Sequence, residues 1–165
     1  MDGASSDRAR RGDSREKTFE NMISNHQDTK TPRFGENFLA VSSETDRIAK
    51  EVVDATFKVH STLGAGLLES VYEICLAHEL NKRNLKFQTQ VAFPIAYDGF
   101  LLDAGLRIDL LVEDKLVIEL KAVETMIPLF EAQLLTYLKL TNKRLGLLIN
   151  FNVPKIKDGI KRIVL

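Results

Sequence analysis

The chain has a single cysteine, no surplus of either charge and no long apolar run, and each shortage removes a class of protein. With Cys75 alone, no intramolecular disulfide can close and no thiolate pair can clamp zinc or cycle electrons. Disulfide scaffolds and zinc fingers drop out, and a reducing, cytoplasmic setting is expected. Lys plus Arg and Asp plus Glu number 23 each, so no global field recommends nucleic acid or an anionic membrane, and any such partner must be argued from local arrangement. Apolar runs such as Leu145–Ile149 fall far short of the roughly 18 to 20 residues a membrane-crossing helix needs, so no membrane partner is expected. No internal repeat at a period of about 20 to 50 residues is found. What remains is 165 residues at 44% hydrophobic and 28% charged, the balance of one ordinary globular domain.

Residues 1–43 carry seven basic and seven acidic side chains among many Ser, Asn, Asp and Thr, with no sustained period, and read as a mobile tail ahead of a folded domain over 44–165. Alternation of Arg8, Arg10, Arg11 and Arg15 with Asp7, Asp13 and Glu16 fits neither a secretory signal nor an acid-poor transit peptide. Ser43-Glu-Thr-Asp46 starts a helix whose stripe is Ile48, Val52, Ala55, Val59 and Leu63. Gly64-Ala-Gly66 breaks it, and a second helix follows through Leu68, Val71, Cys75 and Leu80, ending near Asn81 to Asn84. Phe87, Val91, Phe93 and Ile95 then alternate as a strand up to an Asp98-Gly99 turn. Two further strands, Leu106–Val112 and Leu116–Ala122, flank a Glu113-Asp114-Lys115 loop. A helix over Pro128–Thr141 follows, with its period at Leu129, Ala132, Leu135 and Leu138. Next come a strand covered on both faces over Leu145–Phe151 and a short edge strand near 160–164. The fold class expected is α/β, a mixed sheet flanked by helices in the order α-α-β-β-β-α-β.

The central hairpin locates the chemistry. Ile108, Leu110, Val112, Leu116, Ile118 and Leu120 all sit at even numbers and are expected to share one buried face, leaving Val117 outward. A three-residue loop gives opposed residues an even sum of 228, which sets Asp109 across from Glu119 and Arg107 across from Lys121. Like charges so placed repel, so something positive should sit between them, and a hard divalent cation such as Mg²⁺ is apt. Carboxylates that hold a metal, with an ammonium beside it, are what phosphodiester hydrolysis needs. The same four side chains would also serve as salt bridges on a solvated sheet face, and the hairpin alone does not separate the two readings.

Asp109 with Glu119-Leu120-Lys121, after a helix carrying Glu69 and before one carrying Gln133 and Tyr137, resembles the PD-(D/E)XK nuclease superfamily. Gly66-Leu-Leu-Glu69-Ser-Val-Tyr72 resembles the signature of its GxxExxY family, and the likeness runs from about Ile48 to the C-terminus through Gln133–Leu138 and Leu148–Asn152. That resemblance implies a restriction-endonuclease-like fold and a Mg²⁺- or Mn²⁺-dependent nuclease acting on nucleic acid, DNA ahead of RNA. It implies Glu69, Asp109, Glu119 and Lys121 as the catalytic set. Asp109, Glu119, the Leu120 carbonyl and Glu69 become metal ligands, with Tyr72, Gln133 and Tyr137 in support. Ile108 stands where the superfamily's name has proline. The alternative is a catalytically silent module that binds nucleic acid or protein on the same scaffold, and a second copy of the chain is an admissible partner. His60 and His78 have no ligand spacing, and Cys75 reads as a small core residue. Seven basic residues from Lys139 onward, against Asp158 alone, are candidates for a rim contacting the nucleic-acid backbone.

Overall fold

The computed structural model describes residues 40–165, the side chains of Asp103 and Ala104 aside. The expected tail over 1–43 therefore lies, up to residue 39, outside the described residues. Helix α1 spans Ser43–Leu63, and Ser42, one residue ahead of the expected start, accepts the Thr45 amide at 3.1 Å as its cap. Ile48, Val52, Ala55 and Val59 are buried as the period requires, while Leu63 is 38% exposed in the last turn, where Gly64 with a φ of 71° ends the helix. Helix α2 spans Glu69–Lys82. Its buried stripe is Tyr72, Leu76 and Leu80; Leu68 proves to be the 75% exposed residue ahead of the helix, and Val71 and Cys75 flank the stripe half-buried.

Five strands follow in spatial order β1-β2-β3-β4-β5: β1 Phe87–Tyr97, β2 Phe100–Val112, β3 Leu116–Lys121, β4 Leu145–Asn150 and β5 Ile160–Val164. Only β3 and β4 pair in parallel, as the intervening helix α3, Pro128–Thr141, allows; the other three pairings are antiparallel. Proline opens α3, and a 3-10 turn over Ile156–Gly159 leads into β5. The sheet is mixed and has helices on both faces. All six residues of β4 are buried, as its continuous apolar run implies. Among the described residues, no helix is long and apolar enough to cross a membrane.

Strand β2 begins at Phe100 rather than Leu106. Gly105 obscures this in the sequence, yet a Cβ there would lie 2.4 Å from Ile95 Cδ1, so glycine is what lets the β1 side chain pack over the strand. The turn is Asp98-Gly99 as expected, with φ of 48° and 75°. One core cluster, built on α1 and α2, takes Leu110, Val112, Leu116, Ile118 and Leu120. A second, built on Leu134, Tyr137 and Leu138 of α3, takes Leu106, Ile108, Leu111, Val117 and Leu148. Two expectations are corrected here. Ile108 belongs to the second cluster although Leu110 belongs to the first, so β2 changes face at Asp109. Val117 is fully buried, because α3 covers the face expected to meet solvent. On α3 itself the stripe is Leu134, Tyr137 and Leu138, with Leu129 65% exposed.

Candidate active site

The hairpin adopts the register with sum 228: Val112 pairs with Leu116, Leu111 with Val117 and Leu110 with Ile118. The ladder stops there, one position short of Asp109 and Glu119. In its place the Leu120 amide donates to Asp109 Oδ2 at 2.8 Å, so a side chain replaces the backbone partner and fixes the carboxylate at the sheet's edge of pairing. Glu119, two residues along from Val117, is only 3% exposed. Its Oε1 accepts from Lys121 Nζ at 2.6 Å, and its Oε2 is buried with no hydrogen-bond partner. Lys121 Nζ also donates to the Leu120 carbonyl at 2.8 Å and lies 5.4 Å above the Phe130 ring of α3. The site is therefore an enclosed ion pair with one spare carboxylate oxygen, not a salt-bridged solvent face.

The loop before α2 brings in the remaining acid. Gly66, with a φ of 96°, lets the chain turn, and the buried Tyr72 reaches back to hold that turn. Its hydroxyl donates to the Gly64 carbonyl at 2.7 Å and accepts the Leu67 amide at 3.2 Å, while its ring stacks on Phe151 at 4.3 Å. Tyr72 thereby sets where the helix starts, and Glu69 occupies its first turn. At the far side of β3, Asn150, 1% exposed and in register with Lys121, binds the Val123 amide and carbonyl and the Asn152 amide through its side chain. It fixes the strand end that carries Lys121.

Electrostatics show that these groups share one site. Burial pushes the Glu119 carboxyl up to about 7; the Lys121 bond opposes this, and the Asp109 and Glu69 charges add to it. Glu69 is also raised, first by burial and then by Asp109 and Glu73 against the pull of Lys121. Burial alone would lower the Lys121 amine, but its bond to Glu119 and the charges of Glu119, Glu69 and Asp109 outweigh it and leave the amine above its ordinary value. An ammonium is thus held charged beside a carboxyl that burial inclines to keep its proton.

The structure thus links Asp109, Glu119, the Leu120 carbonyl and Lys121 by hydrogen bonds at one strand end, with Glu69 near enough for its charge to act on Glu119 and Lys121. It does not bring Arg107 across from Lys121: with the β2–β3 ladder ended, exposed Arg107 pairs with Ala92 of β1. Gln133 donates to the Tyr137 hydroxyl, and Phe130, one turn earlier, borders Lys121. His60 is a packing residue whose Nε2 lies 2.9 Å from the Val153 carbonyl. In the basic C-terminal segment three of the seven residues, Lys143, Lys161 and Arg162, are paired with Asp114, Glu131 and Asp46. Two residues were missed, Glu73 and Gln90. Glu73, one turn after Glu69, accepts from Gln90 Nε2 at 2.5 Å, and its carboxyl is raised by burial and by Asp109. The four-residue spacing of Glu69 and Glu73 was the available signal.

As to a cation, the donors present are hard oxygens, and an orphaned oxygen on a buried carboxylate is what a hard divalent ion would satisfy. Among the described residues, no three His, Cys, Asp or Glu side chains are already drawn together as a ready cage. The fit is therefore one of donor chemistry.

A family model for the PD-(D/E)XK nuclease superfamily matches residues 46–163. No curated protein matches the chain. A solved structure, the crystal structure of SSO0001, is similar at 20% identity and a TM-score of 0.46, over 93% of this chain and 78% of that one. The mixed sheet flanked by helices is consistent with a restriction-endonuclease-like fold, and the site stands on the elements the match spans. The chain belongs to the PD-(D/E)XK nuclease superfamily.

Proposed function

We propose that the chain is a divalent-metal-dependent nuclease of the GxxExxY family, with residues 44–165 as its catalytic unit. The observation that carries this reading is Glu119: a nearly enclosed carboxylate with one oxygen on Lys121 and the other orphaned, coupled to Asp109 and Glu69. Uncompensated burial of that oxygen is costly for folding, which supports a role for it in holding a ligand. DNA is placed ahead of RNA on the family resemblance alone, and the lone Cys75 suits the cytoplasm.

Asp109, Glu119, the Leu120 carbonyl and Glu69 would hold Mg²⁺ or Mn²⁺, which when bound supplies a lowered water pKa and neutralises charge at the phosphoryl group. The chain's own residues do the rest. The Leu120 amide keeps Asp109 oriented. Lys121, kept charged by Glu119, steadies the negative charge that develops as water oxygen bonds to phosphorus and the 3′ oxygen leaves with a proton. Phe130 shields the ammonium from bulk water on one side. In the test, purified protein with MgCl₂ or MnCl₂ is incubated with supercoiled plasmid, single-stranded DNA and RNA. Cleavage is expected, and it should vanish in Asp109→Ala and Lys121→Ala while circular dichroism stays unchanged. Full cleavage by both variants would refute this site, and metal-independent binding without any nick would favour a silent binding module instead.

A further inference from the structure

Strand β1 carries an anomaly opposite the site. Thr89 pairs with Leu110 and Val91 with Ile108, but the intervening pair, Gln90 with Asp109, is missing from the ladder. Gln90 sits there with a φ of 51°, a left-handed conformation that a non-glycine residue adopts at a cost, in the middle of a strand. The distortion does not bury Gln90, which is exposed, so packing does not explain it. What accompanies it is a carboxamide set between two acidic side chains. Nε2 lies 2.5 Å from Glu73 Oε2 on α2 and 3.5 Å from Asp109 Oδ1 on β2. Its two N–H bonds therefore face two carboxylates, and the opposite amide orientation would set an oxygen against both. Asp109 is held on one side by the Leu120 amide of β3 at 2.8 Å and approached on the other by Gln90 of β1 at 3.5 Å, the outer limit of a hydrogen bond.

We propose that Gln90 is a positioning residue: its carboxamide bridges Glu73 and Asp109, lets the two carboxylates stand close together, and aims Asp109 Oδ1 for cation binding. This rests on the nuclease reading above. Groups that support a metal's ligands without touching it set the orientation of those ligands, and losing one costs roughly 10- to 100-fold in metal affinity. Glycine is the discriminating substitution, because it suits a positive φ better than glutamine does and lacks the amide. A residue needed only for the bend would lose nothing on becoming glycine.

The experiment titrates Mn²⁺ calorimetrically into wild type, Gln90→Gly, Gln90→Asn and Asp109→Ala, alongside melting temperatures and plasmid cleavage. Gln90→Gly should melt within about 3 °C of wild type, bind Mn²⁺ about tenfold more weakly and cut about tenfold more slowly, with most of the cleavage restored by excess Mn²⁺. Gln90→Asn, which tolerates the same φ and keeps a shorter carboxamide, should fall in between. Wild-type Mn²⁺ affinity and cleavage in Gln90→Gly would overturn the proposal and leave the nuclease reading standing, as would a melting loss that accounts for the whole defect. A wild type that neither binds Mn²⁺ nor cuts would bring down the nuclease reading and this inference together.

Discussion

Glu79 and Glu119 each meet a cation at 2.6 Å, Arg83 in one case and Lys121 in the other, yet their carboxyls move in opposite directions. At the C-terminal end of α2, Glu79 is bound by Lys82 and Arg83, and these bonds lower its pKa to about 2. Its side chain keeps 12% of its surface open to water, against 4% for Glu119. Glu119 lies on the sheet face covered by α3, and burial raises its pKa to about 7 despite an equally short contact. The difference teaches that ion-pair distance does not set the protonation state; the desolvation around the pair does. A surface pair braces a helix end, whereas an enclosed pair stores an unsatisfied oxygen that can be put to chemical use.

The largest expected effect separates the two regions by function. Asp109→Ala or Lys121→Ala should cut the cleavage rate by at least about 100-fold, while Glu79→Ala leaves it unchanged, as measured on plasmid under identical metal. Loss of cleavage in Glu79→Ala would break the comparison.

Stability against pH comes next. Folded Glu119 keeps its proton up to about 7, whereas the unfolded carboxyl releases it near 4.5, so the folded state binds more protons between those values. Stability contributed by this group is therefore full below about 4.5 and falls as pH rises toward 7. Glu79, depressed to about 2, does the reverse: its contribution is full above 4.5 and is lost as pH falls toward 2. Urea unfolding across pH should show Glu119→Gln flattening the upper window and Glu79→Gln only the lower one.

A smaller effect is expected at Tyr72→Phe, which keeps the ring on Phe151 but removes the hydroxyl's two bonds to the 64–67 loop. Stability should drop by about 1 kcal/mol, with a few-fold loss of activity because the Glu69 end of α2 loosens. The least is expected at Lys82→Ala, whose half-exposed partner bond should leave the melting temperature within error.

Much of this was legible from residue numbers. The parity of the hairpin's apolar residues and its three-residue loop were enough for the register, and the register is what brings Asp109 toward Glu119. Parity fails at Ile108 because it presumes a strand of unbroken alternation, and β2 changes face where Asp109 leaves the ladder and Gln90 adopts a positive φ. Long-range cover was also out of reach. No local pattern says that α3 seals the face carrying Val117 and Glu119, and that cover is what turns a plausible surface salt bridge into a perturbed carboxyl. The hold of Tyr72 on Gly64 and Leu67 likewise depends on a tight turn visible only in three dimensions.

The most direct test is a carbon-detected NMR titration of the Glu119 carboxyl, with and without Mg²⁺. An enclosed, ion-ready carboxylate should titrate near 7 in the free protein and drop well below its ordinary 4.5 when Mg²⁺ is added. A midpoint near 4.5 in both conditions would contradict the account.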